Sequence, residues 1–271
     1  MVTKLIRGRG ISFYRGIMGG YDVRGLAMQK GAQSPTLSPE IMCHIGAGLG
    51  SRLKPGLKAL VTRDGRLTSP AFQEAVIEGL RQTGINVDAT VMPTPTGIAT
   101  WFCLVKQYHA SIVISGSHNP KEDNGAKIMV FGEALYEDDL KKLVPVMENG
   151  WYNTMPPEGY GKVRFVNPTS EYLGMLDYAF KELDLRGSRI VFDAGNGLGG
   201  VLVAFLLSRG AEVEVRNIVA DGNFPAYGKA DPSAPACVDP FAEAVTATNA
   251  SAKSPWIGLM TDGDADRSGF I

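Results

Sequence analysis

Short runs rich in β-branched residues alternate along this chain with longer stretches whose apolar positions recur every three to four residues, the pattern of an α/β protein. Residues 38–52 read as a helix, with Ser38 as its cap, Pro39 in its first position and Glu40 in its first turn. A buried strand follows at 58–62. Thr68 or Ser69 then caps a helix over 70–83, and Gly84 stops it. Residues 86–92 form the next strand, 93–96 a proline-threonine turn, and 97–106 a helix. The buried strand at 110–115 delivers the polar turn Ser115-Gly116-Ser117-His118-Asn119-Pro120 at its carboxyl end.

The second half repeats this grammar. A helix is expected over 170–183, strands at 189–193, 212–218 and 256–260, and a glycine-opened helix at 199–208 stopped by Gly210. Segments 58–92 and 188–218 both run strand, glycine-containing turn, helix, glycine, strand, which predicts two related domains. Pro156-Pro157 with Gly150, Gly159 and Gly161 interrupt the periodicity between them. The expected division is a leader over 1–20, one domain over 21–155 and a second over 156–271. Residues 220–240, rich in proline and glycine, are expected to form a long ordered loop or a functional excursion. The longest apolar run, 201–207, is a candidate helix core and is far too short to span a bilayer.

Composition narrows the function classes. The 271 residues suffice for two domains, and 44% hydrophobic with 20% charged content describes a folded globular chain. With a net charge of -1, no global field favours nucleic acid or an anionic membrane, so an anionic ligand must be met by local cations. Cys43, Cys103 and Cys237 are far apart and form no CxxC pair, which fits buried thiols in a reducing compartment. Lys4, Arg7, Arg9 and Arg15 give the first twenty residues the charge of an import leader, but serine is sparse and no amphipathic face is evident. The cytoplasm is the expected location.

The candidate chemistry lies in two polar turns. Pro120 restricts Asn119 to extended geometry, and the turn carrying Ser117 follows a central strand, where α/β sheets place their ligand sites. Taken alone it reads as an ordinary polar loop. Asn124-Gly125 then allows a tight turn that brings Lys127, at the start of a strand over 127–131, back toward the serine. Far downstream, Asp262-Gly263-Asp264-Ala265-Asp266-Arg267 sets three carboxylates at alternate positions, converging on one side of an extended loop as hard ligands for Mg²⁺. An EF-hand is excluded by Arg267 at the sixth position, where that loop needs glycine. A phosphorylatable hydroxyl beside a divalent-cation site is the minimum equipment for phosphoryl transfer. Gly195 to Gly200 matches a dinucleotide-binding fingerprint, with Glu212 and Glu214 as candidate ribose acids; it reads instead as a compact strand-to-helix turn. Of the arginines in glycine-bearing turns, Arg24 and Arg63 are expected to face ligand, with Asp22 and Asp64 as rival structural partners. His44 and His109 read as structural or solvent-exposed.

The motifs YDVRG, TRDGR, MPTPT, SGSHNP with NGAK, DAGNG, DGNFP and DGDADR, in this order over residues 21–271, resemble the α-D-phosphohexomutase family, most nearly its phosphomannomutase/phosphoglucomutase branch. The resemblance implies two consecutive related three-layer αβα domains with mixed sheets, the front half of a four-domain enzyme. It implies Ser117 as a phosphoserine that shares Mg²⁺ with Asp262, Asp264 and Asp266. Arg267 would support the transferring phosphoryl group, His118 and Lys127 would take polar and acid–base roles, and Arg24, Arg63 and Asn119 would bind substrate phosphate. As a base, Lys127 needs a pKa lowered by neighbouring cations and burial. Ser115 stands where the family usually has threonine, and Ala265 where it usually has glycine. The implied reaction moves phosphate reversibly between C1 and C6 of a hexose phosphate, glucose or mannose, through a hexose 1,6-bisphosphate. The GExSGH and RxSGTEP motifs of the third and fourth domains do not occur in these residues, so low activity is expected of the chain by itself. The alternatives are a non-catalytic metal- or phosphate-binding module and a dinucleotide-dependent oxidoreductase.

Overall fold

The strand-forming runs assemble into two mixed sheets in a computed structural model that describes residues 11–271. Helix α1 (Ile11–Ile17) and strand β1 (Val23–Leu26) precede α2 (Pro39–Gly50), β2 (Lys58–Arg63), α3 (Ser69–Gln82) and β3 (Asn86–Thr90). Next come α4 (Thr96–Val105), β4 (Ala110–Ile114), β5 (Asp123–Val130), the two-residue β6 (Glu133–Ala134), α5 (Glu137–Lys141), α6 (Val144–Asn149) and β7 (Val163–Val166). The remainder comprises α7 (Pro168–Ala179), β8 (Arg189–Asp193), α8 (Val203–Ser208), β9 (Glu212–Arg216), α9 (Pro235–Ala250), β10 (Ile257–Thr261) and β11 (Ser268–Phe270).

The first sheet has the order β1-β5-β4-β2-β3-β7, with β6 on β5. Strands β4, β2, β3 and β7 are parallel to one another, while β5 runs antiparallel to both β4 and β1. The second sheet, β11-β10-β8-β9, is parallel except for β11. Alternation along β2 explains the layering: Ala59 and Val61 join the core under α2 and α3, whereas Leu60 packs with Phe102, Cys103 and Tyr108 on the opposite face. On α3, Phe72, Val76 and Leu80 form a stripe at i, i+4 and i+8, and all three are buried. Each contributes on the order of 1.5–3 kcal/mol by leaving water.

Several expectations change. Residues 1–10 of the expected leader lie outside the described residues; 11–17 form α1, whose Tyr14 and Ile17 are buried in the first core. Strand β7 lies past the expected division at 155/156, yet it pairs with β3 in the first sheet. Ser38 caps α2 as expected, its Oγ accepting from Ile41 N–H. Thr68 occupies the N-cap position of α3 as expected, its carbonyl accepting from Phe72 N–H, but neither hydroxyl makes a capping bond: Ser69 Oγ donates to Asp64 Oδ1 at 2.5 Å, and Thr68 Oγ1 accepts from Asn124 Nδ2 at 2.8 Å. Their oxygens are recruited to tie down the loop after β2 and the start of β5. Residues 235–250 are helical where a loop was expected to extend to 240. Pro235 sits in the first turn of α9, where proline is tolerated, and burial of Cys237, Phe241 and Val245 on one stripe overrides Pro240 inside it. The apolar run 201–207 is no core: α8 has no buried residue, because it packs chiefly on the outer strand β9 and on α7. No helix among the described residues is long and apolar enough to cross a membrane.

Burial also sets one titration. His44 is 2% exposed on α2, with Nδ1 2.5 Å from Tyr152 Oη in the segment that leads to β7. Burial holds its pKa below the ordinary value of 6.5, against the opposing pull of the Glu40 carboxylate. As pH falls below about 6.5, the unfolded chain takes up this proton before the folded one does. The stability contribution is therefore complete above that pH and is lost toward the lower folded value. The stability advantage of the native chain over His44→Gln, measured by urea unfolding, should narrow between pH 7.5 and 5.5; a gap that stays constant would contradict this.

Candidate functional site

Ser117 sits just past β4 with φ +52°, a left-handed conformation that a non-glycine residue holds only when its surroundings enforce it. The enforcing group is Arg66, which is fully buried. Five guanidinium N–H donors meet five acceptors. Nε donates to Asp64 Oδ2 at 3.1 Å, Nη1 to the Pro120 and Asp123 carbonyls at 2.6 and 3.0 Å, and Nη2 to the Ser117 and Asn119 carbonyls at 2.7 and 2.8 Å. A Cβ on Gly116 would lie 2.5 Å from Arg66 Cζ, so only glycine lets the guanidinium pass beneath the turn. The Phe224 ring lies 5.1 Å from Arg66 Cζ. The DGNFP segment of the second half thus closes over the arginine that holds the serine turn of the first.

The two halves meet at Ser117 itself. Its Oγ donates to Asp262 Oδ2 at 3.2 Å and accepts from Arg267 Nη2 at 2.9 Å. Arg267 also donates to Asp262 Oδ2 through Nε at 3.1 Å and Nη2 at 2.7 Å. Asp262, Asp264 and Asp266 each offer an oxygen, and these atoms lie within 4.8 Å of one another. Asp264 is wholly buried; its Oδ2 accepts from Thr96 Oγ1 at 2.6 Å, Lys127 Nζ at 2.6 Å and Ser115 Oγ at 2.9 Å, whereas its Oδ1 has no hydrogen-bond partner. An unpartnered buried carboxylate oxygen is costly unless a cation meets it. The donor set is all hard oxygen, so the residues fit a divalent cation such as Mg²⁺.

Electrostatics separate the carboxylates. Burial raises the Asp262 pKa, with further upward pressure from Asp264 and Asp266 that Arg267 only partly opposes. Burial would raise Asp264 too, but Lys127, Thr96 and Ser115 outweigh it and hold that group low. Lys127 departs from expectation. Burial lowers its pKa, yet Asp264 and Asp266, each 2.6 Å from Nζ, outweigh burial and raise it, so here the ammonium is a counter-charge. The antiparallel register of β4 and β5, with Val113 opposite Lys127, is what returns the lysine to the serine end.

The other expected residues divide. His118 Nδ1 is 3.4 Å from Ser117 Oγ, and its pKa is lowered by burial first and then by Arg267 and Arg24, against Asp231. Arg24 reaches the turn, donating from Nη1 to Asn119 Oδ1 at 2.9 Å while Nε holds Asp22. Asn119 Nδ2 donates to Asp123 Oδ2, so this side chain braces the turn. Arg63 is elsewhere: it donates to the carbonyls of Asp64 and Val91 and does not line the cleft of about 670 Å³ whose walls include Arg24, Ser117, His118, Lys127 and Arg267. Arg66, from the same TRDGR motif, is the one that controls the serine turn. Thr96 is the other group sequence reasoning missed; both had a signal, an Asp-Gly-Arg turn and a threonine opening a helix after proline.

The glycine-rich turn after β8 is also explained. Asn196 N–H donates to Asn217 O, Gly197 N–H to Ala194 O and Leu198 N–H to Gly263 O, so these amides are not left for a pyrophosphate. A Cβ on Gly197 would lie 2.8 Å from Gly263 Cα. The turn is a floor for the aspartate loop.

Residues 15–150 match the family model described as phosphoglucomutase/phosphomannomutase, alpha/beta/alpha domain I, and residues 169–271 match domain II of the same family. The chain is 33% identical over 244 residues to the probable phosphoglucosamine mutase of Pyrococcus horikoshii, covering 87% of this chain and 50% of that protein. It is 32% identical over 257 residues to the phosphomannomutase/phosphoglucomutase of Pseudomonas aeruginosa, covering 93% and 51%. The crystal structure of a phosphoglucomutase/phosphomannomutase family protein from Burkholderia thailandensis superposes with a TM-score of 0.79 at 28% identity, over 95% of this chain and 54% of that one. The chain thus spans about half the length of the curated relatives it matches.

Replacing Arg66 with methionine leaves Asp64 buried without its cation and four carbonyls without their donors. The expected loss of stability is about 3–5 kcal/mol, the cost of breaking a buried pair on one side. Chemical unfolding of Arg66→Met checks it; a loss below about 1 kcal/mol would show that the turn holds its shape without the guanidinium.

Proposed function

Because the chain belongs to the phosphoglucomutase/phosphomannomutase family, we propose that it carries the phosphoserine and the Mg²⁺ site of a hexose-phosphate mutase, with Ser117 as the group that gives and receives the phosphoryl. The observation that carries this reading is the position of Ser117 Oγ, between the Asp262 carboxylate and the Arg267 guanidinium and beside two more aspartates. The relatives' names point to the substrate class, a hexose phosphate, with glucose and mannose among the sugars.

Asp262, Asp264 and Asp266, with a phosphoserine oxygen, would hold Mg²⁺, which supplies charge neutralisation for the transferring phosphoryl group. The protein's own residues do the rest. Arg267, already hydrogen-bonded to Ser117 Oγ, stabilises negative charge developing on the serine oxygen as the bond from Oγ to phosphorus breaks and the sugar hydroxyl oxygen takes the phosphorus, the hydroxyl proton ending on the released Ser117 Oγ. In the return step Ser117 Oγ bonds to the other phosphorus of the sugar bisphosphate, the bond from that phosphorus to the sugar oxygen breaks, and the sugar oxygen ends as a hydroxyl. His118 stays neutral near pH 7 because its pKa is lowered, and its Nδ1 lies within reach of the proton that Ser117 gives up. Lys127 serves as a counter-charge, since its pKa is raised. Arg24 and Asn119 order the wall on which a substrate phosphate would rest. Arg63 is assigned no contact with it. The free thiols fit the cytoplasmic location expected above.

Incubation with glucose 1,6-bisphosphate and Mg²⁺ should add one phosphate to the peptide containing Ser117, read by mass spectrometry. Ser117→Ala should acquire none. Undiminished labelling of that variant, or labelling at another residue of the native chain, would refute the assignment.

A further inference from the structure

Helix α4 opens at Thr96 with no capping side chain of its own, because the residue ahead of it is Pro95. The turn before it is anchored to the end of β2 by Thr94 N–H donating to Arg63 O at 2.8 Å. The acceptor that the helix lacks comes from the second half of the chain. Thr96 N–H donates to the Asp264 carbonyl at 2.9 Å, and Thr96 Oγ1 donates to Asp264 Oδ2 at 2.6 Å. The positive end of α4 thus meets one of the two wholly buried aspartates of the triad.

These bonds orient the carboxylate. Thr96, Ser115 and Lys127 all donate to Oδ2, and none to Oδ1. One oxygen is committed to the protein and the other is left for a ligand. Of the three donors, Lys127 is divided between Asp264 and Asp266, and Ser115 Oγ also accepts from Ser117 N–H. Thr96 alone grips Asp264 at two points, side chain and backbone. We propose that Thr96 is a positioning residue for the cation: its hydroxyl fixes which oxygen of Asp264 faces the site and so sets divalent-cation affinity. Partners of this kind, one bond removed from a ligated ion, typically govern affinity by ten- to a hundred-fold. The inference rests on the reading of the aspartate triad as a cation site.

The test is Mn²⁺ binding to the 271-residue chain, followed by electron paramagnetic resonance and without any substrate. Thr96→Val keeps the shape and loses the hydroxyl; Thr96→Ser keeps the hydroxyl. The valine variant should bind Mn²⁺ about tenfold more weakly, with the serine variant near the native affinity. Urea unfolding of each variant shows that the fold is retained, and Thr96→Ala carries the same expectation as valine should the latter not fold. Native affinity in the valine variant, or equal losses in valine and serine variants, overturns the role of the hydroxyl while leaving the cation site intact. A native chain that binds no Mn²⁺ overturns the cation site itself, and the proposal with it.

Discussion

The site depends on a guanidinium that does not itself face the cleft. Arg66 gathers the carbonyls of residues 117, 119, 120 and 123 around one planar group and is fixed in turn by Asp64. Charge-assisted hydrogen bonds of this kind are roughly twice as strong as neutral ones, and here they are sheltered from water. That concentration of bonding offsets the strain of a left-handed Ser117, of order 1–3 kcal/mol, and leaves the hydroxyl aimed out of its own domain. With Phe224 packed over the same guanidinium, one residue couples the shape of the serine turn to the docking of the second half.

Charge then completes what the turn begins. Three aspartates share a small volume, two of them without solvent exposure, and the cations facing them are Lys127 and Arg267. The two buried members respond in opposite directions: Asp262 is pushed up by burial and by its neighbours, while Asp264 is held down by Lys127 and two hydroxyls. A divalent cation would relieve the repulsion that raises Asp262 and meet the unpartnered oxygen of Asp264. Electrostatic preorganisation of this type is built before a substrate arrives, so no reorganisation is required at the moment of reaction.

Sequence made the ends of this arrangement legible and hid its middle. Ser117 and the three aspartates could be read because their two polar turns occur together in one chain. Lys127 comes back toward the serine end by a different route from the one expected: Asn124 and Gly125 form no turn but pair with β1 inside β5, which already starts at Asp123. Arg63 and Arg66 are two steps of one motif, and only the path of the chain after β2 decides which of them turns inward beneath Gly116. Thr96 was taken as part of a turn, because its partner lies 168 residues away. Helix α9 and the packing of α1 were hidden for a related reason. Pro240 and the basic N-terminal segment carry local signals that argue against ordered packing, and burial of Phe241, Tyr14 and Ile17 outweighs them. The glycine-rich turn misdirects in the opposite sense, since its spacing suits a pyrophosphate while its space is taken by Gly263.

The central claim is that the serine phosphate and the aspartate-bound cation occupy one site. Phosphorus NMR of the phosphorylated chain, titrated with Mn²⁺, tests it most directly. The phosphoserine resonance should broaden at stoichiometric Mn²⁺ and stay sharp in Asp264→Asn at the same concentration. A phosphoserine line that keeps its width while the aspartates are saturated with Mn²⁺ would contradict the account.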